Sequence, residues 1–140
     1  LNTNEIERYP GGNRDISRVI QSLPGVASTA SFRNDIIIRG GAPNENKFFI
    51  DEIEVPVINH FATQGSSGGP VGILNVNLIK NVDVITGGFP ADRMNSLSSF
   101  FNFQLKEGRK DKMFTQMTLG ASELTLSNEG PLGKNTTYLI

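Results

Sequence analysis

DIIIRGGAPNENKFFIDEIEV, residues 35–55, is the stretch on which the reading of this chain turns. It holds two β-rich runs around a cluster of chain breakers. Asp35 to Arg39 reads as a short strand that ends at Gly40-Gly41, and Ala42-Pro43-Asn44-Glu45-Asn46 reads as a turn. A second strand is expected from Lys47 to Val55. Its first half is apolar throughout; its second half alternates Asp51, Ile53 and Val55 against Glu52 and Glu54. Such a strand is buried on both faces at one end and wet on one face at the other. Two strands joined by a short turn predict a hairpin.

Working upstream, Pro10-Gly11-Gly12 closes a polar leader, and Asn13 or Asp15 is placed to cap a helix. Ile16, Val19, Ile20 and Leu23 then fall at i, i+3, i+4 and i+7, one apolar helical stripe, and Pro24-Gly25 stops it. Working downstream, residues 56–72 are rich in Gly, Pro and Ser and read as a long loop, a kind that tends to be functional or mobile. Ile73 to Lys80 is expected as a short helix, Asn81 to Thr86 as a third strand and Ala91 to Leu97 as a helical turn. Ser98 to Glu107 is a fourth strand with Phe101, Phe103 and Leu105 on one face.

After Gly108 the character changes. Arg109-Lys110-Asp111-Lys112 is a charged break, and Met113 to Leu126 reads as one long alternating segment with a bulge near Ala121 to Glu123. Residues 128–135 read as a turn, and Thr136 to Ile140 as another strand. Long alternating segments separated by turns are the weak signature of transmembrane barrel strands; an ordinary soluble hairpin fits the same pattern. A lone hairpin is marginal in water. The tail is therefore expected to pair with the chain's own sheet or, preferably, with the same segment of a neighbouring molecule, which would cover Met113, Met117, Leu119, Leu124 and Leu126.

Composition excludes several classes. With 13 Lys and Arg against 14 Asp and Glu, the 140-residue chain has no electrostatic footprint for nucleic acid. Apolar runs such as Ile36 to Ile38 and Phe48 to Ile50 fall far short of the roughly 20 residues a spanning helix needs. There are no cysteines, hence no disulfides and no thiolate chemistry. Leu1 in place of Met and a strand-like end without a stop signal are expected of a piece of a longer chain.

No catalytic or cofactor site can be assembled. The glycine pairs match neither a phosphate loop nor GxGxxG, and no GxSxG elbow occurs. His60 is the only histidine, which leaves no partner for a transition-metal site. Asp51 and Glu52 are expected on the strand, where they point to opposite faces and cannot act as an acid–base pair. Arg39 stands apart: an arginine ending a buried strand calls for a carboxylate, Asp51 for example, or for a surface this chain was made to meet. No enzyme, metal, nucleotide or covalent cofactor is expected.

Five pieces, in order, resemble the plug domain of TonB-dependent outer-membrane receptors across roughly residues 6–108. Leu23-Pro24-Gly25-Val26 is similar to that family's "L…PGV", Ile38-Arg39-Gly40 to its "IRG", and Phe49-Ile50-Asp51-Glu52-Ile53 to its "(I/L)(I/V)DG(I/V)". Asn81-Val82-Asp83-Val84 resembles "ERIEV"; Gly87-Gly88-Phe89, Leu97-Ser98-Ser99 and Lys106-Glu107-Gly108 resemble "GGF…LSS…KEG". Met117 to Leu126 and Glu129-Gly130-Pro131-Leu132-Gly133 look like the first barrel strand and turn. Three departures stand out: Glu52 replaces the family's glycine, Thr86-Gly87-Gly88 replaces an Arg-Gly-Pro, and residues 1–12 do not look like a TonB box.

The resemblance implies an α+β fold: a small mixed four-stranded plug sheet with short helices and long loops at 1–108, then a β-hairpin-like tail at 109–140 that starts a transmembrane β-barrel. It implies an outer-membrane location and gated import, with three partners: the chain's own barrel, a TonB-type energy transducer and a small nutrient such as an iron chelate, cobalamin or a glycan. It implies a plug–barrel contact at Arg39 and Asp51, and substrate-facing or mobile loops carrying His60, Phe61, Gln64, Phe89 and Arg93. The alternative is a soluble periplasmic binding or interaction module without a barrel.

Overall fold

The computed structural model describes residues 3–9, 15–28, 34–61, 68–69, 71–91, 96–119 and 124–140. The chain divides into two compact units, Leu1–Leu105 and Lys106–Ile140.

In the first unit, helix α1 (Thr3–Arg8) precedes α2 (Ile16–Ile20). The polar leader was not expected to be helical; among its described residues Ile6 is buried, 1% exposed. Asp15 caps α2, its carboxylate accepting from the Ser17 amide at 2.9 Å. Such a cap satisfies one of the helix's orphan donors and contributes about 1 kcal/mol. Ile16, Val19 and Ile20 are all buried, as the helical stripe required.

Two short strands follow, β1 (Val26–Ser28) and β2 (Ile36–Ile38), paired antiparallel with Val26 opposite Ile38. This corrects the expected hairpin of residues 35–39 with 47–55. The Ile36–Ile38 strand goes back to β1, and a 3-10 turn at Pro43–Glu45 carries the chain on. The expected Lys47–Val55 strand is itself a hairpin, β3 (Asn46–Ile50) against β4 (Ile53–Val55), with Ile50 opposite Ile53. Asp51 and Glu52 are the two turn residues, at φ 46° and 70°. Positive φ at both central positions marks a type I′ turn, whose twist matches that of the flanking strands. The alternation of acids and apolar residues there came from a chain reversal, and not from a strand solvated on one face.

Residues 56–72 are not wholly irregular: β5 (Asn59–His60) pairs with β6 (Val71–Gly72). In place of the expected helix at 73–80 there is a 3-10 turn, Val76–Leu78, capped by the Asn75 side chain, and β7 (Ile79–Ile85) starts at once. Strand β8 (Ser99–Leu105) completes a four-stranded sheet of order β4-β3-β8-β7. The sheet is mixed, because β3 and β8 run parallel while the outer pairs are antiparallel. The expected helical turn at 91–97 falls mostly on residues outside those described.

Phenylalanines explain why β3 and β8 occupy the centre. Phe48 stacks on Phe101 at 5.4 Å on one face, and Phe49 meets Phe100 at 4.9 Å on the other. All four are buried, which only strands flanked on both sides allow. Phe101, Phe103, Val82 and Ile79 join Ile16, Ile20, Ile36, Ile38 and Ile6 in one core that welds α1, α2 and β2 to the sheet.

The second unit is an antiparallel meander of β9 (Phe114–Leu119), β10 (Leu124–Pro131) and β11 (Thr137–Leu139), with β10 in the middle. The expected single segment 113–126 is two strands, registered Leu124 to Leu119 and Leu126 to Met117. The expected bulge lies at residues 121–123, outside those described, and the expected turn at 128–135 is shortened because β10 runs on to Pro131. Gly130 is buried beneath Tyr138, whose hydroxyl sits 3.3 Å from where a Cβ would be, so a ring covers the residue that lacks a side chain. The five apolar side chains expected to need cover are exposed by 66–78%. No helix among the described residues is long and apolar enough to cross a membrane, a statement that does not bear on strands.

Candidate functional site

The side chains that fix the site-bearing loops are polar and buried. Asn46, 5% exposed, opens β3 and donates from Nδ2 to the carbonyls of Ile36 and Pro43. The Ser99 hydroxyl donates to Asn46 Oδ1 at 2.6 Å, and the Ser98 hydroxyl donates to the Ile38 carbonyl at 2.8 Å. These bonds tie β2 to the four-stranded sheet without a shared ladder. Gly41 belongs to the same junction: a Cβ there would lie 2.5 Å from Ser98 Oγ and 2.7 Å from Glu45 Oε2.

A second set holds the 56–72 excursion. Asp35, 2% exposed, accepts the Gly68 amide at 2.9 Å on its carboxylate and the Gln21 side-chain amide on its carbonyl. Asn34, at φ 48°, donates to the second oxygen of the Asp15 cap at 3.0 Å. The Ser17 hydroxyl donates to Asn59 Oδ1 at 3.1 Å, where both residues are buried. One side of the excursion is thus bonded to α2 and the other to the residue that leads into β2.

His60 ends β5 and Phe61 follows it. Both are exposed; Phe61 is 80% exposed at φ 60°, its ring centroid 5.9 Å from the imidazole's. Val71 lies opposite His60 across β5–β6 and is 52% exposed, and Ile73 nearby is 46% exposed. A large ring held out in water on left-handed backbone is unfavourable twice over, an arrangement that clusters at functional positions. Phe89 is half-buried and follows Gly88 at φ 67°. Gln64 and Arg93 lie outside the described residues.

Arg39 and Asp51 are not brought together. Asp51 accepts the Leu105 amide at 3.0 Å on its carboxylate, and its own amide donates to the Phe103 carbonyl at 2.9 Å, so it clamps the hairpin turn to the end of β8. Arg39 is exposed at φ 50°, with one guanidinium nitrogen beside Gly87. Among the described residues it makes no ion pair. Of the two expected places for Arg39, an internal carboxylate or the plug surface, the fold gives the surface: the left-handed backbone at Arg39 and Gly40 turns the side chain outward as soon as β2 ends.

An open groove of about 630 Å³ lies between Leu23-Pro24, Val26 and the Val82–Thr86 edge. Its acid, Asp83, is already engaged by Asn81 and Gln104, which leaves the groove mainly apolar. Among the described residues no three His, Asp or Glu side chains are grouped to hold a metal ion.

The family model of the TonB-dependent Receptor Plug Domain matches residues 1–96. Among solved structures, the chain is similar to the ferric enterobactin receptor PfeA of Pseudomonas aeruginosa, with 20% identity and a TM-score of 0.70 over 99% of this chain and 23% of that one. It is similar to the siderophore receptor PirA from Acinetobacter baumannii, with 18% identity and a TM-score of 0.70 over 99% and 23%. A third likeness is to the outer membrane transporter YddB from Escherichia coli, with 20% identity and a TM-score of 0.58 over 91% and 22%. No curated protein matches the sequence. The chain spans about a quarter of the length of the structures it matches. Sequence and fold agree, and the chain belongs to the family of TonB-dependent receptor plug domains.

Proposed function

We propose that this chain is the plug, together with the first strands of the barrel, of an outer-membrane transporter that gates energy-coupled import of a ferric siderophore. The observation that carries the barrel half is the two-faced sheet that follows the plug. Met117, Leu119, Leu124 and Leu126 share one face, each at least 66% exposed, while Gln116, Thr118, Thr125 and Ser127 occupy the other. Apolar residues toward lipid and polar residues toward a lumen is the barrel-strand pattern. A soluble module without a barrel would leave that whole face in water. The second unit, 106–140, is the start of the barrel, and residues 109–140 carry its strands.

In this reading His60 and Phe61, with Gln64, Phe89 and Arg93 on neighbouring loops, face the incoming substrate. The iron chelate is preferred over cobalamin or a glycan because PfeA and PirA, which share the fold, are named for such ligands. Arg39, unpaired among the described residues, meets acidic groups of the barrel wall, while Asp51 serves the plug's own turn. A TonB-type transducer pulls from the N-terminal side. Strands of two or three residues, such as β5, β6, β1 and β2, open locally at low free energy, so the plug can yield in part before it yields whole.

The test is uptake of labelled ferric siderophores by iron-starved cells that depend on the full-length receptor. Uptake that stops when the proton gradient is collapsed supports the reading. Uptake that continues without energy, or no uptake of any ferric siderophore, contradicts it.

A further inference from the structure

The second unit carries a cleft that neither plug nor import requires. It measures about 250 Å³ and is bounded by Lys110 on one side and by Lys134, Asn135, Thr136 and Thr137 on the other. Two lysines, two threonines and an asparagine thus line one small volume, together with Pro131 and Gly133. Lys110 has a loose, exposed contact with Glu107 at 3.6 Å, and among the described residues no carboxylate pairs with Lys134. The donor set is that of a phosphate site.

What lies beside the cleft says which phosphate. Along the exposed sheet face the pairs run Leu119–Leu124, Met117–Leu126, then Thr115–Asn128. At that last level the chemistry changes: Asn128 Nδ2 donates to Thr115 Oγ1 at 2.6 Å, and the Tyr138 hydroxyl donates to Asn128 Oδ1 at 2.6 Å. Tyr138, over Gly130, comes next, and the β10–β11 turn with Lys134 lies beyond it. A hydrocarbon band, then a hydrogen-bonded amide and phenol beside Met113, then a turn that carries both the exposed Leu132 and the Lys134 ammonium fits the edge of a bilayer. A soluble phosphate ligand would not call for that gradient.

We propose that the Lys110–Lys134 cleft binds the phosphate of an anionic phospholipid headgroup in the leaflet where the β10–β11 turn emerges, and so fixes the depth and register of the first barrel hairpin. This rests on the barrel reading above. The geometry is suited to it because the segment carrying Lys110 is itself pinned. Gly108 is buried so close to Tyr138 that a Cβ would run into the Tyr138 carbonyl, and Arg109 lies 4.8 Å over the Phe114 ring and 3.8 Å from Glu129.

The experiment compares association of the 140-residue chain with phosphatidylcholine vesicles and with vesicles that also contain phosphatidylglycerol. The wild type should bind the anionic vesicles more tightly, and Lys110→Gln with Lys134→Gln should remove roughly thirtyfold of that affinity, since each lysine near an anionic surface contributes about a factor of five. Binding to the neutral vesicles should not change. Lys106→Gln with Lys112→Gln, which removes equal charge outside the cleft, should cost clearly less. Equal loss from both pairs overturns a specific site. Indifference of the wild type to phosphatidylglycerol overturns the proposal and leaves the barrel reading standing. No association with either vesicle likewise overturns the proposal and leaves the barrel reading standing, since three strands with open edges do not enter hydrocarbon on their own. Inorganic phosphate binding at the cleft without any preference for anionic vesicles assigns it to a soluble ligand and overturns the lipid.

Discussion

Backbone sign separates the residues that shape this plug from those it displays. Asp51 and Glu52 both sit at positive φ, and Asp51 is suited to it: Asp tolerates the left-handed region, and its carboxylate takes the Leu105 amide. Glu52 makes no such bond among the described residues and stands where the resemblance expects glycine. Glu52→Gly should raise the unfolding free energy by roughly 1 kcal/mol, the order of the left-handed cost to a side chain, as measured by urea denaturation. A loss of stability would show that the Glu52 side chain matters more than its backbone. Arg39 makes the opposite case. Exposed and without an ion pair among the described residues, it should be replaceable by alanine within about 0.5 kcal/mol in this chain. In the full-length receptor the same substitution should raise passive leak. Unchanged leak would contradict a role at the barrel wall.

Two elements depend on bonds invisible in the hydrophobic pattern. The β2 strand is held to the four-stranded sheet by Asn46 and Ser99, and the 56–72 excursion by Asp35 and Asn59. Asn46→Ala leaves a buried carbonyl and a buried hydroxyl without their partner, which should cost about 2–4 kcal/mol in denaturant unfolding. Asp35→Ala removes the acceptor for the Gly68 amide, so hydrogen exchange at Gly68 should speed up well beyond that of the β8 amides. Uniform acceleration across the plug would mean that the bond supports the whole fold and not this loop. These contrasts also show what the sequence made legible. The stripe of α2 and the burial of Phe48, Phe49, Phe101 and Phe103 follow from spacing alone, whereas spacing does not choose between Asn13 and Asp15 for the cap. The strand partners do not follow from it either: β3 and β8 pair in parallel from 53 positions apart, as Asn46 opposite Ser99, and no local pattern records that. The Asp51-Glu52 turn was hidden because Glu in place of Gly reads as continuing alternation. Asn46 and Asp35 read as ends of strands, and only the packing makes them interior. Helix α1 offered one apolar residue, Ile6, too few for a period.

At the scale of the whole molecule, the chain joins a unit with a buried phenylalanine core to one whose strands display their leucines. In Leu1–Leu105 the phenylalanines of β3 and β8 are at most 7% exposed; in Lys106–Ile140 the leucines of β9 and β10 are at least 66% exposed. Soluble domains do not keep such a face, and the barrel account gives it a solvent. Family membership and the parity of β9 and β10 both point to that account, yet the proposed substrate-facing roles of His60 and Phe61 rest on the exposure of both and the left-handed backbone of Phe61. Phe61→Ala should weaken siderophore binding to the receptor by about tenfold, the scale of losing one aromatic contact, with little change in plug stability. Equal affinity would move the substrate elsewhere.

Single-cysteine labelling of the full-length receptor in outer membranes tests the central claim most directly, because this stretch has no cysteine of its own. Leu119→Cys and Leu126→Cys should react with a lipid-soluble maleimide and resist a charged one. Thr118→Cys and Thr125→Cys, one residue away on the other face, should react with the charged reagent once the plug is unfolded by urea. That alternation places β9 and β10 in a barrel wall. Ready labelling of the Leu119→Cys and Leu126→Cys variants by the charged maleimide in intact membranes would contradict it.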